Sequence, residues 1–221
     1  MLLNFLNELV RWHAITVCWP LYALVYKTKF YYEDEKTKEN KRIKGGALIV
    51  SNHISGLDYI VTVYKYFGRK IYVITLEDIF QKSGFMRWSM DVIGAIRADR
   101  DIKRLRFMDE SVKILKNGKL LQIYPESDTM RSGEVQDFKP TYIPIALRSG
   151  VPIVPLVVDG QYSLFKRTHA IVGKSIYLSD YCKSADPSRD EIQQLNEMVR
   201  NKVLELQAEL ERRKAKKKRR S

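Results

Sequence analysis

The sequence predicts an α/β fold in which a mostly parallel central sheet is flanked by helices, with a helix pair added at the N-terminus. Short apolar runs alternate with helical patterns along most of the chain. Parallel strands buried on both faces read as near-continuous apolar runs, and helices are their usual connections. With 221 residues, 45 % of them hydrophobic, the chain has enough apolar sequence to bury the core of one domain.

The apolar runs and helical patterns locate the elements. We predict strands at 47–51, 70–75, 92–97, 120–125, 151–158 and 170–178. Predicted helices lie near 58–67, 79–90, 101–116 and 188–213, the last capped by Asp186-Pro187-Ser188. The charged stretch 26–46 reads as a strand or linker followed by a solvated turn. Two prolines in the run VPIVPL favour an edge strand or a bulge there.

Residues 1–26 combine helical spacing of apolar residues with Pro20, which predicts two helices separated at the proline. The apolar run 14–26 has thirteen residues, fewer than the ~20 that span a bilayer. The aromatic residues suit a membrane interface, and the apolar residues outnumber those that one packed face needs. Membrane contact without a full span is therefore favoured, and a helical cap on the domain's own core is the alternative.

The net charge of +13 favours anionic partners such as acidic lipid, phosphorylated substrates or nucleic acid. Eight of the last eleven residues are Lys or Arg, so much of the excess lies in a short tail. Since the sequence contains no recognisable zinc finger, helix-turn-helix or aromatic RNA platform, no nucleic-acid partner is expected. We expect three segments: the helix pair at 1–26, the main domain at 27–211 and the basic tail at 212–221.

The cysteines and histidines limit the chemistry. Cys18 and Cys182 are far apart and form no disulfide framework or zinc spacing, which is typical of a protein from the reducing cytosol. With three scattered histidines, no metal site is expected. A serine hydrolase is also disfavoured, because the sequence lacks the G-x-S-x-G elbow.

His53 and Asp58 follow the first predicted core strand in the stretch SNHISGLDY. On a helix, five residues rotate a side chain by roughly 140°, so the two side chains meet only if a turn intervenes, and Gly56 is well placed to allow one. With Asp58 on one ring nitrogen, the other nitrogen of His53 becomes a general base. The spacing specifies no serine or cysteine nucleophile, so the pair predicts direct deprotonation of a substrate hydroxyl, without a covalent enzyme intermediate.

An alternative reading of the same stretch is structural. Ser55-Gly56-Leu57-Asp58 fits the S-x-x-D capping box, in which Asp58 only closes the following helix.

Two further candidate groups, Arg97–Arg100 and Glu126–Arg131, also follow predicted strands. In parallel sheets reactive side chains gather where strands end, so we expect these groups near His53.

Four blocks of the sequence carry a resemblance to a known family. His53-Ile-Ser-Gly-Leu-Asp58 resembles the HxxxxD motif of the glycerolipid (lysophospholipid) acyltransferases, the family of bacterial 1-acyl-sn-glycerol-3-phosphate acyltransferase. GAIRADR (94–100), YPESDTMR (124–131) and VPIVPL (151–156) resemble its second, third and fourth blocks. The four occur in the family's order. The N-terminal helix pair also resembles the membrane-docking pair of some members.

The resemblance implies transfer of a fatty acyl group from acyl-CoA or acyl carrier protein to the hydroxyl of a lysolipid, most simply 1-acylglycerol-3-phosphate, giving phosphatidic acid. It implies His53 as the base and Asp58 as the residue that orients it. Arg100 matches the arginine that binds the acceptor phosphate, and Glu126, Ser127 and Arg131 match the block that shapes the acceptor site. No cofactor beyond the acyl donor is implied, and the expected location is the cytoplasmic face of a membrane, monotopic or peripheral.

The sequence also departs from the family pattern. Ser127 replaces the usual glycine of the third block, and Arg131 comes two positions later than expected. Leu76-Glu77-Asp78 stands where many members carry a lysine. A different lysolipid or an acceptor outside phospholipid synthesis therefore stays open. A non-catalytic membrane-bound relative is a separate alternative, which the intact His53 and Asp58 disfavour.

Overall fold

The computed structural model describes residues 2–98, 104–126, 135–184 and 187–218. The helices are α1 (Leu2–Tyr26), α2 (Asp58–Lys65), α3 (Glu77–Gln81), α4 (Gly84–Ile93), α5 (Arg104–Lys116), α6 (Tyr142–Ser149) and α7 (Arg189–Lys218). The strands are β1 (Lys29–Tyr32), β2 (Ala47–Ser51), β3 (Ile71–Leu76), β4 (Ala95–Ala98), β5 (Leu120–Ile123), β6 (Ile153–Val158) and β7 (His169–Val172).

The strands form one seven-stranded sheet in the order β1-β7-β6-β2-β5-β3-β4. Neighbours pair in parallel except β6 and β7, which are antiparallel. The predicted α/β fold with a mostly parallel sheet is therefore confirmed. β2 is the central strand and all five of its residues are buried. Leu48 and Val50 face the core beneath α5, α6 and α7, whereas Ala47 and Ile49 face the core beneath α2.

Two predicted strands have different bounds. The run 92–97 was expected to be a strand, but Val92 and Ile93 complete α4 and β4 begins at Ala95. Gly94 separates them in the left-handed conformation (φ 80°), which ends a helix at little cost in a residue without a side chain. The strand expected at 170–178 stops at Val172, and Ile176 makes only an isolated bridge to Ile153.

Prolines explain two other errors. α6 was not predicted, and it contains Pro144 as its third residue, where the backbone N–H needs no partner within the helix. The edge-strand prediction for VPIVPL is wrong, because β6 lies between β7 and β2. The pairing of β6 with β7 begins at Leu156, so Pro155 lacks its N–H just before that ladder, while its carbonyl still accepts from Gly173 N at 2.9 Å.

The N-terminal segment is one helix, so the predicted helix pair separated at Pro20 is wrong. Tertiary contacts hold α1 together on both sides of the proline. The hydroxyl of Tyr64 donates to Ile15 O at 2.9 Å, and the rings of Tyr22 and Tyr64 stack with centroids 3.8 Å apart. None of the helices among the described residues is both long and apolar enough to cross a membrane.

The C-terminal helix extends further than predicted. It begins at a capping box in which Ser188 Oγ accepts from Glu191 N at 3.2 Å and Glu191 Oε2 accepts from Ser188 N at 2.8 Å. It then continues to Lys218 rather than ending near residue 213. Two residues of the basic tail contact the main domain. Arg213 donates to Tyr32 O in β1 at 2.8 Å, and Lys214 pairs with the Asp159 carboxylate at 3.0 Å. The first part of the tail is therefore packed helix.

Gly46 precedes β2 at a point where the backbone of α5 passes very close. A β-carbon built at this position would lie 2.1 Å from Leu115 O, a backbone atom. We expect Gly46→Ala to lower the free energy of unfolding by about 1–3 kcal/mol, because the core must shift to accept the methyl group. Gly84→Ala is the matched control, since no atom lies within 4 Å there. Urea unfolding measures both, and equal midpoints would contradict this packing.

Candidate active site

His53 and Asp58 meet at the carboxyl end of the central strand. His53 follows β2 by two residues, and Asp58 is the first residue of α2. The distance from His53 Nδ1 to Asp58 Oδ2 is 3.2 Å. An ionised carboxylate only accepts hydrogen bonds, so this contact places a ring proton on Nδ1, and in the neutral imidazole Nε2 is then an acceptor. The expectation that a turn brings the two side chains together is confirmed.

The Asp58 carboxylate organises this turn. Its Oδ2 accepts from Ile54 N at 2.7 Å and from Ser55 N at 2.8 Å, in addition to His53 Nδ1. Its Oδ1 accepts from the hydroxyl of Tyr162. The residue is only 1 % exposed. Burial of a carboxylate is expensive unless donors surround it, and these four contacts supply them.

Only one of the two side-chain hydrogen bonds of a capping box is present in this turn. Asp58 accepts from Ser55 N, as that motif requires, but the Ser55 hydroxyl accepts from Leu57 N at 3.3 Å. The same carboxylate also holds His53, so closing the turn and orienting the ring are done by one group. Gly56 does not adopt a positive φ and has no atom within 4 Å of a built β-carbon, so the turn does not depend on glycine there.

The imidazole of His53 is packed against Tyr124 on one face and remains partly exposed to solvent. Its side chain is 22 % exposed, while that of Asp58 is 0 % exposed. The ring stacks on Tyr124 with centroids 4.2 Å apart, and the Tyr124 hydroxyl accepts from Gln122 Nε2 at 2.9 Å. Burial raises the pKa of Tyr124 well above its ordinary value, so this ring stays neutral. Stacking on one face and bonding at Nδ1 together restrict rotation of His53.

Glu126 joins the end of β5 to this turn. Its Oε1 accepts from His53 N at 3.1 Å and its Oε2 accepts from Gln136 N at 2.9 Å, and the residue is 2 % exposed. Burial raises the pKa of the Glu126 carboxyl, while the two backbone N–H groups act in the opposite direction. The expectation that Glu126 lies near His53 is confirmed, and its visible contacts are with backbone.

The other predicted groups do not all reach the pair. Arg97 lies in β4, the strand at the sheet edge, where its guanidinium sits 4.4 Å from the centroid of the Phe80 ring and 3.7 Å from Asp91. It is a surface residue away from His53. Arg100, Ser127 and Arg131 lie outside the described residues.

Sequence reasoning missed two polar residues of this site. Asn52 is fully buried and bridges β2 to β6, donating from Nδ2 to Val158 O and accepting at Oδ1 from Val158 N, both at 2.9 Å. Its position beside His53 was the only local signal. Tyr162 contacts Asp58 from a loop that follows β6. Since the two residues are 104 positions apart, no sequence spacing could have paired them.

A second histidine–aspartate pair lies at the start of β7. His169 Nδ1 is 3.2 Å from Asp159 Oδ2, and Asp159 Oδ1 also accepts from His169 N at 3.0 Å. Lys214 of α7 contacts the same carboxylate at 3.0 Å. This pair joins two adjacent strands and the C-terminal helix.

Comparison with known proteins gives several matches. The chain is 27 % identical over 143 residues to 1-acyl-sn-glycerol-3-phosphate acyltransferase of Borreliella burgdorferi, covering 63 % of this chain and 56 % of that protein. It is 32 % identical over 124 residues to the probable 1-acyl-sn-glycerol-3-phosphate acyltransferase of Mycoplasma pneumoniae, covering 53 % and 46 %. The chain thus spans about half the length of these curated relatives.

A solved structure shares the fold. The crystal structure of the 1-acyl-sn-glycerophosphate (LPA) acyltransferase PlsC from Thermotoga maritima superposes with a TM-score of 0.57, covering 94 % of this chain and 97 % of that one at 18 % identity. The family model described as Acyltransferase matches residues 32–159. That match covers more than half of the 221 residues and includes the turn from His53 to Asp58, so the chain belongs to the acyltransferase family.

Proposed function

We propose that the protein transfers a fatty acyl group from a thioester donor, acyl-CoA or acyl carrier protein, to the hydroxyl of 1-acylglycerol-3-phosphate, giving phosphatidic acid. The observation that carries the proposal is the partly exposed histidine held by a buried carboxylate at the carboxyl end of the central strand. The names of the matched relatives support the acceptor.

In the proposed reaction, Nε2 of His53 accepts the proton of the acceptor hydroxyl as that oxygen attacks the thioester carbonyl. A new C–O ester bond forms and the C–S bond breaks. The proton then passes from Nε2 to the departing thiolate, which leaves as the free thiol. Asp58 holds the Nδ1 proton and stabilises the imidazolium that forms in between.

The acceptor's phosphate requires a cation. We assign this role to Arg100, with Ser127 and Arg131 completing the acceptor pocket, on the resemblance of their blocks to those of the family. A guanidinium binds phosphate through two parallel hydrogen bonds and remains charged at any working pH. If the acceptor is another lysolipid or lies outside phospholipid synthesis, this is the part of the site that differs.

We propose that the protein binds peripherally to the cytoplasmic face of a membrane. The structure of α1 supports the peripheral binding, because the polarity of this helix is inverted. Arg11 is 7 % exposed and bonds Glu8 at 2.9 Å, and Glu8 also pairs with Lys70 of the main domain. The outward side of α1 exposes the polar residues His13 and Thr16 and is otherwise mainly apolar, with eight exposed large apolar residues: Phe5, Leu6, Leu9, Val10, Val17, Trp19, Leu21 and Leu24.

Helix α4 carries further exposed apolar residues. It packs against α1, and its Phe85 and Trp88 are 73 % and 44 % exposed. Charged groups facing the protein and apolar groups facing outward are the pattern of an interfacial helix.

We expect His53→Ala to lower kcat by about 10²–10⁴-fold, since it removes the base. Asp58→Asn should lower kcat nearly as much, because the amide no longer anchors the Nδ1 proton. The test is turnover of purified protein with acyl-CoA or acyl carrier protein and a panel of lysolipids, read by mass spectrometry.

His169→Ala is the matched control, because it breaks the other histidine–aspartate pair. It should change stability rather than kcat. If Asp58→Asn were less stable than the parent and retained its kcat, Asp58 would be only a helix-closing residue.

Arg100→Ala should raise the KM for a phosphorylated acceptor and leave kcat and the donor KM nearly unchanged, since a clamp that grips substrate and transition state equally affects binding alone. Arg100→Lys should restore part of the loss, because the paired hydrogen bonds are missing. Steady-state kinetics with varied acceptor measure both variants. Unchanged acceptor kinetics for all phosphorylated lysolipids would remove Arg100 from the site.

Replacing Leu9, Val17, Leu21 and Leu24 together by Gln should release the protein from vesicles of neutral phosphatidylcholine. Each buried apolar side chain contributes about 1.5–3 kcal/mol, so the partition coefficient should fall at least hundredfold. High salt in the sedimentation assay screens the basic tail. These replacements leave the contacts of Glu8 with Arg11 and Lys70 intact, so α1 should stay docked on the domain. An unchanged partition coefficient would mean that α1 is only a cap on the domain.

A further inference from the structure

The two oxygens of the Asp58 carboxylate are held differently. Oδ2 accepts from two backbone N–H groups of its own turn and from His53. Oδ1 accepts from the hydroxyl of Tyr162, which belongs to the loop after β6. Both oxygens turn together about the Cβ–Cγ bond, so the three donors on Oδ2 and the phenol on Oδ1 jointly restrain the orientation of the carboxylate.

We propose that Tyr162 is a positioning residue for the histidine–aspartate pair, holding the Asp58 carboxylate in the plane that receives the Nδ1 proton of His53. The inference rests on the proposed role of His53 as the base. Tyr162 acts through Asp58, and the reaction as derived above does not require it to touch the substrate.

The hydroxyl of Tyr162 is a permanent donor. Burial and the neighbouring Asp58 carboxylate both raise the pKa of Tyr162 far above its ordinary value, so the hydroxyl keeps its proton. Without it, a buried carboxylate oxygen would lose the hydrogen bond that compensates its burial.

The loop that carries Tyr162 lies tightly against the turn. Gly160 has φ +66°, and a β-carbon built on it would lie 2.6 Å from Cγ2 of Ile54, a residue of the Asp58 turn. Only glycine allows the loop to approach Ile54 so closely in this conformation. The approach brings the ring of residue 162 to the carboxylate.

Tyr162 is also packed against the end of α1. Its ring lies 5.1 Å from that of Tyr26, centroid to centroid, and Tyr26 O accepts from Thr168 N at 2.9 Å. Tyr26 stacks in turn on Tyr22 at 4.9 Å. The helix that carries the apolar surface is therefore in continuous aromatic contact with the residue that holds Asp58.

The test compares Tyr162→Phe with Tyr66→Phe. Both remove a hydroxyl from a packed ring, but Tyr66, at the far end of α2, donates to Asn40 O at 3.1 Å and is 4 % exposed. We expect Tyr162→Phe to lower kcat about tenfold, equivalent to about 1.4 kcal/mol of barrier, with the acceptor KM unchanged. Tyr66→Phe should leave kcat at the parent value.

A second readout needs no turnover. Nitrogen-15 NMR reports which ring nitrogen of a neutral histidine carries the proton, and the chain has three histidines to assign. The parent and Tyr66→Phe should show one Nδ1–H tautomer for His53, and Tyr162→Phe should show a mixture. Tyr26→Leu leaves the Tyr162 hydroxyl in place but removes the aromatic ring that packs against Tyr162, so it should give a smaller change of the His53 tautomer in the same direction.

The outcomes separate the two proposals. A tautomer change in a protein that transfers no acyl group to any acceptor would overturn the proposed function and support the positioning role. If kcat and the His53 tautomer stay at parent values in both Tyr162→Phe and Tyr26→Leu, Tyr162 has no positioning role. Equal loss of kcat in Tyr162→Phe and Tyr66→Phe, with an unchanged tautomer, would show that the effect is general destabilisation, and would also overturn the inference.

Discussion

The burial of the Asp58 carboxylate is the constraint on which the architecture around His53 depends. A carboxylate removed from water needs donors on both oxygens, or it costs several kcal/mol and takes up a proton. The chain meets this need with two backbone N–H groups, one imidazole and one phenol. The turn supplies three of these donors, and the close approach of the loop at Gly160 accompanies the fourth.

The sheet supplies the rigidity that these loop contacts lack on their own. β2 is central and fully buried, and each of its two neighbours is tied to the residues that follow it. Asn52 fixes β2 to Val158 at the end of β6, and Glu126 fixes the backbone of His53 to the end of β5. Side chains on loops can keep catalytic geometry when the strands beneath them are locked in this way.

Local patterns in the sequence predicted much of the fold and part of the candidate site. The meeting of His53 and Asp58 was predicted on condition that a turn separates them, and the turn is present although it does not depend on Gly56. The position of Glu126 after a parallel strand predicted that it lies nearby. Tyr162 was not predictable, because its contact is made across 104 positions. The predictions at the two prolines were wrong for a related reason. Pro20 predicted a helix break and Pro155 an edge strand, but contacts from distant residues, Tyr64 and Gly173, accompany a continuous helix and an interior strand.

The inverted polarity of α1 has a consequence for how the protein behaves in plain buffer. Its outward side carries eight large apolar residues that are at least 40 % exposed, and such a surface does not remain solvated when another apolar surface is present. Two copies would bury these sides against each other in the absence of lipid. If this side binds a membrane as proposed, a dimer or larger aggregate observed without detergent reports the missing membrane rather than a native assembly.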